Sequence, residues 1–210
     1  MKILIACEFS AIVRTEFEKK GHDAVSCDIR DSERSGKHYK GNVLDILNEN
    51  WDMMIAHPPC TYLSFAGNKY FNIEKYGQKA IERHKEKEKA IEFFLKLWNA
   101  PINKICIENP KGYIMQKLPF SQVVNPYFFG DKATKKTLLW LKNLPPLQHS
   151  KEQNLFSART WIEPPPPIYT GQNNKRYFNT ESISGNSEES KKERSRFFPK
   201  IAEAMANQWG

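Results

Sequence analysis

No apolar run in the 210-residue sequence approaches the roughly 20 residues that a membrane-spanning helix needs. The opening Met1-Lys2-Ile3-Leu4-Ile5-Ala6-Cys7 is too short for a signal peptide and reads better as a first strand. Cysteine is scarce: Cys7, Cys27, Cys60 and Cys106 are the four, and none is in CxxC spacing. That leaves neither a disulfide framework nor a zinc pattern, so neither metal nor membrane is expected. Free thiols imply a reducing compartment, hence a cytoplasmic protein. Three of the four lie in apolar runs, where cysteine behaves as a small hydrophobe. Cys60 differs, because it follows Pro58-Pro59, and a turn there lifts it out of the core. No internal repeat is visible.

What is present suits a single globular domain over residues 1–210, with 40% hydrophobic and 12% aromatic residues. Net charge is +8 and the isoelectric point is near 9.2, which favours a polyanionic partner such as nucleic acid or nucleotide. Many proteins are basic for solubility alone, so charge only tilts the balance. The run Lys85-Glu86-Lys87-Glu88-Lys89 tilts nothing, since alternating signs on a helix make a solvated face.

Along the chain, Lys2 to Cys7 reads as a buried strand and Ile12 to Lys20 as a helix closed by Gly21. Ala24 to Cys27 reads as a second strand ending at Asp28. This βαβ unit puts an acidic residue about twenty positions after the first turn, where doubly wound folds hold the ribose hydroxyls of a nucleotide-like cofactor. Asp31 to Lys40 reads as polar loop, Val43 to Leu47 as a short helix or strand edge, and Trp51 to Ala56 as a strand. One amphipathic helix is expected from about Ile73 to Asn99, with Ile81, Ile91, Phe94, Leu95 and Trp98 inward. Strands follow at Ile102–Ile107 and Thr137–Leu141. Residues 148–192, with four consecutive prolines and a Ser/Glu-rich patch, read as an excursion with little regular structure. A final helix runs from about Phe198 to Trp209. Alternating strands and helices predict an α/β, doubly wound, Rossmann-like and mostly parallel sheet.

Two segments carry chemistry. Met54-Ile55-Ala56 runs into His57-Pro58-Pro59-Cys60, and Ile105-Cys106-Ile107 into Glu108-Asn109-Pro110. Each puts a reactive side chain at the C-terminal end of a strand, the edge where open α/β sheets bind ligands. A thiol with a carboxylate suits transient covalent activation of a pyrimidine. Cytosine C5 becomes nucleophilic once a soft thiolate adds at C6. Negative charge then builds on N3, where a carboxyl group stabilises it.

With these residues in view, the chain resembles the catalytic domain of the cytosine-C5 DNA methyltransferases, most closely the compact bacteriophage and prophage forms. Pro59-Cys60 matches the family's nucleophile motif and Glu108-Asn109 its Glu-Asn motif. Phe9-Ser10-Ala11-Ile12-Val13 corresponds to the Phe-x-Gly-x-Gly cofactor turn, Asp28 to the ribose ligand, and Gly41-Asn42-Val43 to the Gly-Asp-Ile segment that reads adenine. The resemblance implies S-adenosylmethionine as cofactor, held by Phe9, Ser10, Ala11, Asp28, Ile29, Asn42, Val43 and Pro58. It implies catalysis by Cys60, Glu108, Asn109 and Lys135, and substrate contacts from Lys132, Lys136 and Thr137, in the place of the family's Gln-x-Arg-x-Arg strand. Arg194-Ser195-Arg196 leads into a last helix like the family's final motif. The resemblance implies a cytoplasmic enzyme of a bacterial host cell, encoded by the bacterium or by a phage.

The sequence departs from the pattern in places. Ala11 and Val13 replace both glycines of the cofactor turn, and Asn42 replaces an aspartate. The arginines are absent, with Lys135 or Lys136 as stand-ins that lack bidentate geometry. The 148–192 excursion is shorter than the target-recognition domain of full-length relatives, and opening a duplex needs elements that reach both grooves. The leading reading is methylation of cytosine in DNA, and the alternative is the same chemistry on a free cytidine nucleotide such as dCMP. A non-catalytic nucleic-acid-binding relative is a third reading. An exocyclic-amine methyltransferase is disfavoured, because that chemistry needs no thiol.

Overall fold

The computed structural model describes residues 1–152, 160–167, 169–170, 176–177 and 187–210. They cluster into two compact units that interleave along the chain. The first comprises Met1–Ala11, His22–Val123 and Thr137–Pro146; the second comprises Ile12–Gly21, Val124–Lys136 and Leu147–Gly210.

The first unit is built on a seven-stranded sheet. Its strands are β1 (Lys2–Ala6), β2 (Asp23–Asp28), β3 (His38–Lys40), β4 (Met53–Ala56), β5 (Lys104–Asn109), β6 (Gln122–Val124) and β7 (Thr137–Lys142), ordered β3-β2-β1-β4-β5-β7-β6. The pairs β3/β2, β2/β1, β1/β4 and β4/β5 are parallel, and β7 runs antiparallel to β5. The expected α/β, mostly parallel architecture is therefore present. Near-continuous apolar runs make this possible, because a parallel sheet covered on both faces leaves no polar side. Register places Leu4 beside Met54 and Met54 beside Ile105, and all three are fully buried. Burying each such side chain contributes about 1.5–3 kcal/mol. On the same core, Phe94 meets Trp140 edge to face at 5.1 Å, and the Trp140 indole donates to the Leu118 carbonyl.

Three expectations need correction. The segment 31–40 is not loop throughout: His38–Lys40 forms β3, and the Ser26 hydroxyl sits 2.9 Å from His38 Nδ1. The single helix over 73–99 breaks at Gly77, whose φ of 51° is left-handed, into α2 (Ile73–Tyr76) and α3 (Gln78–Trp98). The inward face of α3 is then Ala80, Ile91, Phe94 and Leu97, while Ile81 is exposed.

In the second unit, α1 (Ile12–Lys19) closes as expected at Gly21, whose φ is 81°. It packs against the last helix, α5 (Pro199–Trp209), which begins with proline at its first turn and is capped by Asp131, whose carboxylate accepts from Lys200 N at 3.0 Å. The 148–192 excursion is not wholly irregular. β8 (Tyr169–Thr170) pairs antiparallel with β9 (Arg176–Tyr177). Glu188–Ser195 forms α4, where Ser187 caps a first turn carrying Glu188 and Glu189. Its stretches 153–159, 168, 171–175 and 178–186 lie outside the described residues. Among the described residues no helix is long and apolar enough to cross a membrane.

Candidate active site

Parallel β4 and β5 end in step, with Ala56 opposite Ile107, so the segments that follow leave the same edge of the sheet side by side. Proline decides how the first one leaves. Pro58 and Pro59 have no N–H to donate, so the ladder stops after His57 N donates to the Ala6 carbonyl at 2.9 Å. Pro58 is buried; Pro59 and Cys60 are exposed. The chain then turns on the Cys60 carbonyl, which accepts from Leu63 N and Ser64 N at 3.1 and 2.9 Å.

The four thiols separate as expected. Burial pushes Cys27 up to about 12 and raises Cys7 and Cys106 well above the ordinary thiol range, so these three stay protonated. Cys60 alone of the four is exposed.

Glu108 is enclosed differently. Because β7 is antiparallel, its first residue, Thr137, lies at the end of β5. The Thr137 hydroxyl donates to Glu108 Oε1 and approaches the Asn109 carbonyl at 3.3 Å. Glu108 Oε2 lies 3.5 Å from His57 Nδ1, an ion pair whenever the imidazole carries a proton. Both side chains are largely buried, so the carboxylate is held from two sides. Thr137, expected to touch substrate, is buried with its hydroxyl engaged by Glu108. His57 was part of the thiol segment by sequence, but its pairing with Glu108 needed the strand register.

The two segments are tied together. Asn109 Nδ2 donates to the Pro58 carbonyl at 2.8 Å in a buried hydrogen bond. Further out, Tyr113 N donates to Leu63 O at 2.9 Å and Ser64 bridges Gly112. Gly112 is the residue the sequence reading missed. A Cβ there would sit 1.9 Å from Leu63 O, so only glycine lets the two backbones cross. Gly112→Ala is expected to lower stability in urea unfolding by about 1–3 kcal/mol through overpacking. Unchanged stability would show that the crossing relaxes freely.

The expected cofactor residues lie at the same edge, at the ends of β1 and β2 and after β3. Cys7 and Ala11 bracket the Glu8-Phe9-Ser10 turn with φ of 59° and 55°. Left-handed backbone at a non-glycine residue costs about 1 kcal/mol, so Ala11 adopts the glycine conformation without the glycine. Phe9, Ser10, Ala11, Val43 and Pro58 are all buried, which leaves them backbone and shape, not side chain, to offer a ligand. Asp28, Ile29 and Asn42 are accessible. Asp28 Oδ1 accepts from Arg30 N at 2.9 Å, and its other oxygen has no hydrogen-bond partner among the described residues. Ile29 is 76% exposed, a large apolar side chain beside that carboxylate. Asn42 Oδ1 caps the turn of Val43–Asp45 by accepting from Leu44 N at 3.1 Å. An acceptor for hydroxyls, an apolar face and an amide form a donor set that fits a nucleoside.

The lysines belong to the second unit. Lys132 and Lys136 are exposed, but the Lys135 ammonium is engaged there. It donates to the Arg194 carbonyl at 3.1 Å and lies over the Phe198 ring, clasping the junction of α4 and α5. Among the described residues no group of three or more His, Cys, Asp or Glu side chains is placed to hold a metal ion. No protein-family model matches the chain, and comparison with curated proteins found no match either.

Proposed function

We propose that the chain transfers a methyl group from S-adenosylmethionine to C5 of cytosine through a covalent bond to Cys60, on the methyltransferase form of the doubly wound fold. The observation that carries this reading is the buried hydrogen bond from Asn109 to the Pro58 carbonyl. It ties the segment that carries an accessible thiol to the one that carries an enclosed carboxylate, at the ends of adjacent parallel strands. The first five strands also follow the order 3-2-1-4-5, whose reversal point beside β1 is where such sheets bind ligands.

The residues act in sequence. Cys60 sulfur, as thiolate, forms a bond to C6 of the ring and pushes an electron pair toward C5 and N3. Glu108, fixed by Thr137 and faced by His57, gives a carboxyl proton to N3 as that charge develops and takes it back when the thiolate leaves. When bound, S-adenosylmethionine would supply an electrophilic methyl group. After C5 is methylated, its proton leaves to solvent, the C5–C6 double bond re-forms and the Cys60–C6 bond breaks. Thiolate is a good leaving group, so the enzyme is regenerated.

Asp28 would hold the ribose hydroxyls of the cofactor, Ile29 the face of its adenine, and Asn42 the adenine edge. Titration calorimetry with S-adenosylmethionine is expected to show saturable binding, weakened more than tenfold by Asp28→Ala, or about 1.4 kcal/mol. Equal affinity in the variant would place the cofactor elsewhere.

A further inference from the structure

The chain immediately after Cys60 interleaves aromatic and basic residues: Tyr62, Phe65, Lys69, Tyr70, Phe71, Lys75 and Tyr76 within fifteen residues. The structure gathers these into one surface. The Arg83 guanidinium of α3 lies 5.0 Å from the Tyr62 ring centroid, 5.6 Å from Tyr70 and 4.9 Å from Phe71. It also donates to the Thr61 carbonyl at 2.9 Å, one residue from the thiol. Lys69 caps Tyr70 at 5.0 Å, and Tyr76 stands 5.6 Å from Tyr70.

Two features set this surface apart from an ordinary packing cluster. Seven large apolar or aromatic side chains are exposed among the described residues, and two of them, Tyr70 and Ile73, fall here. Tyr70 is 44% exposed although it is an aromatic ring amid cations. In addition, Lys69, Lys75 and Lys79 are exposed and form no salt bridge among the described residues. A hydrophobic protein partner would find unpaired ammonium groups across its interface, which is costly. Phosphates would neutralise them, and bases would stack on the rings.

We infer that the surface formed by residues 61–79 with Arg83 binds a single-stranded polynucleotide, with the nucleotides next to the target base stacked on Tyr70 and its phosphates on Lys69, Lys75 and Lys79. The inference rests on the reading of Cys60 as the nucleophile, and it selects the substrate class for that site: a strand rather than a free nucleotide. A single strand offers its base faces to stacking, whereas a duplex hides them.

Binding is measured on the full-length protein by fluorescence anisotropy without S-adenosylmethionine, so the result does not depend on methyl transfer. The probes are a labelled 12-nucleotide single-stranded DNA, the same sequence as RNA, its DNA duplex, and dCMP as competitor. The DNA and RNA strands are expected to outbind duplex and dCMP, and their ratio identifies which backbone is preferred. Tyr70→Ala is expected to weaken strand binding about tenfold, within the range for loss of one base–aromatic stack. Tyr70→Phe should restore it, and Lys69→Gln should lower the salt dependence by about one phosphate contact. Circular dichroism checks that the variants are folded. Unchanged affinity in folded Tyr70→Ala, or dCMP competing as tightly as the strand, would overturn the inference. Strand binding without methyl transfer would leave it standing while removing the proposed reaction; methylation of dCMP alone would do the reverse.

Discussion

A strand carrying 5-fluorocytosine at its target position is expected to become fixed covalently to Cys60 when the protein is given S-adenosylmethionine. Fluorine cannot leave C5 as a proton does, so after methylation the double bond cannot re-form and the Cys60–C6 bond persists. Cys60 is the thiol placed for this. Prolines cut β4 short and set it outside the core, while burial raises Cys27 to about 12 and keeps Cys7 and Cys106 protonated. Cys60→Ser should abolish the adduct and leave cofactor binding intact, since Asp28, Ile29 and Asn42 belong to other strand ends. Peptide mapping that placed the adduct on any of the other three cysteines would refute the assignment.

Glu108→Gln is expected to lower kcat by at least about a hundredfold, with a much smaller rise in KM. Glutamine keeps the shape and can still accept from Thr137. It loses the ionisable carboxyl group beside His57, and with it the capacity to exchange a proton with N3. The loss therefore falls on a state in which charge has moved onto the ring, not on substrate binding. Near-normal turnover in the folded variant would make Glu108 a structural residue.

Much of this arrangement was legible in the sequence because proline and periodicity speak locally. Pro58-Pro59 and Pro110 mark where β4 and β5 end, and Gly21 marks the end of α1. Apolar runs without alternation announce strands buried on both faces. What was not legible depends on distant pairing. The direction of β7 brings Thr137 to Glu108, 29 residues away in sequence, and a parallel strand would not have done so. β3 is short, polar and at the sheet edge, so His38–Lys40 lacks the hydrophobic pattern that reveals a strand. The buried face of α3 differs from the expected stripe at its two ends, with Ala80 and Leu97 buried and Ile81 exposed. Gly77 interrupts the helix, and Ala80 is too small to register as part of an apolar stripe although it is fully buried. Gly112 is one glycine among ten, and its necessity appears only when the Leu63 carbonyl is found 1.9 Å from where a Cβ would be.

The most direct test of the central claim is nucleoside mass spectrometry after incubation with S-adenosylmethionine carrying a deuterated methyl group. The protein is supplied separately with single-stranded DNA, duplex DNA and dCMP, and the products are digested to nucleosides. The account predicts labelled 5-methylcytosine, with single strands modified at least as well as duplex, and none with Cys60→Ser. Label on the exocyclic amine, or no labelled cytosine from a protein that binds the cofactor, would contradict it.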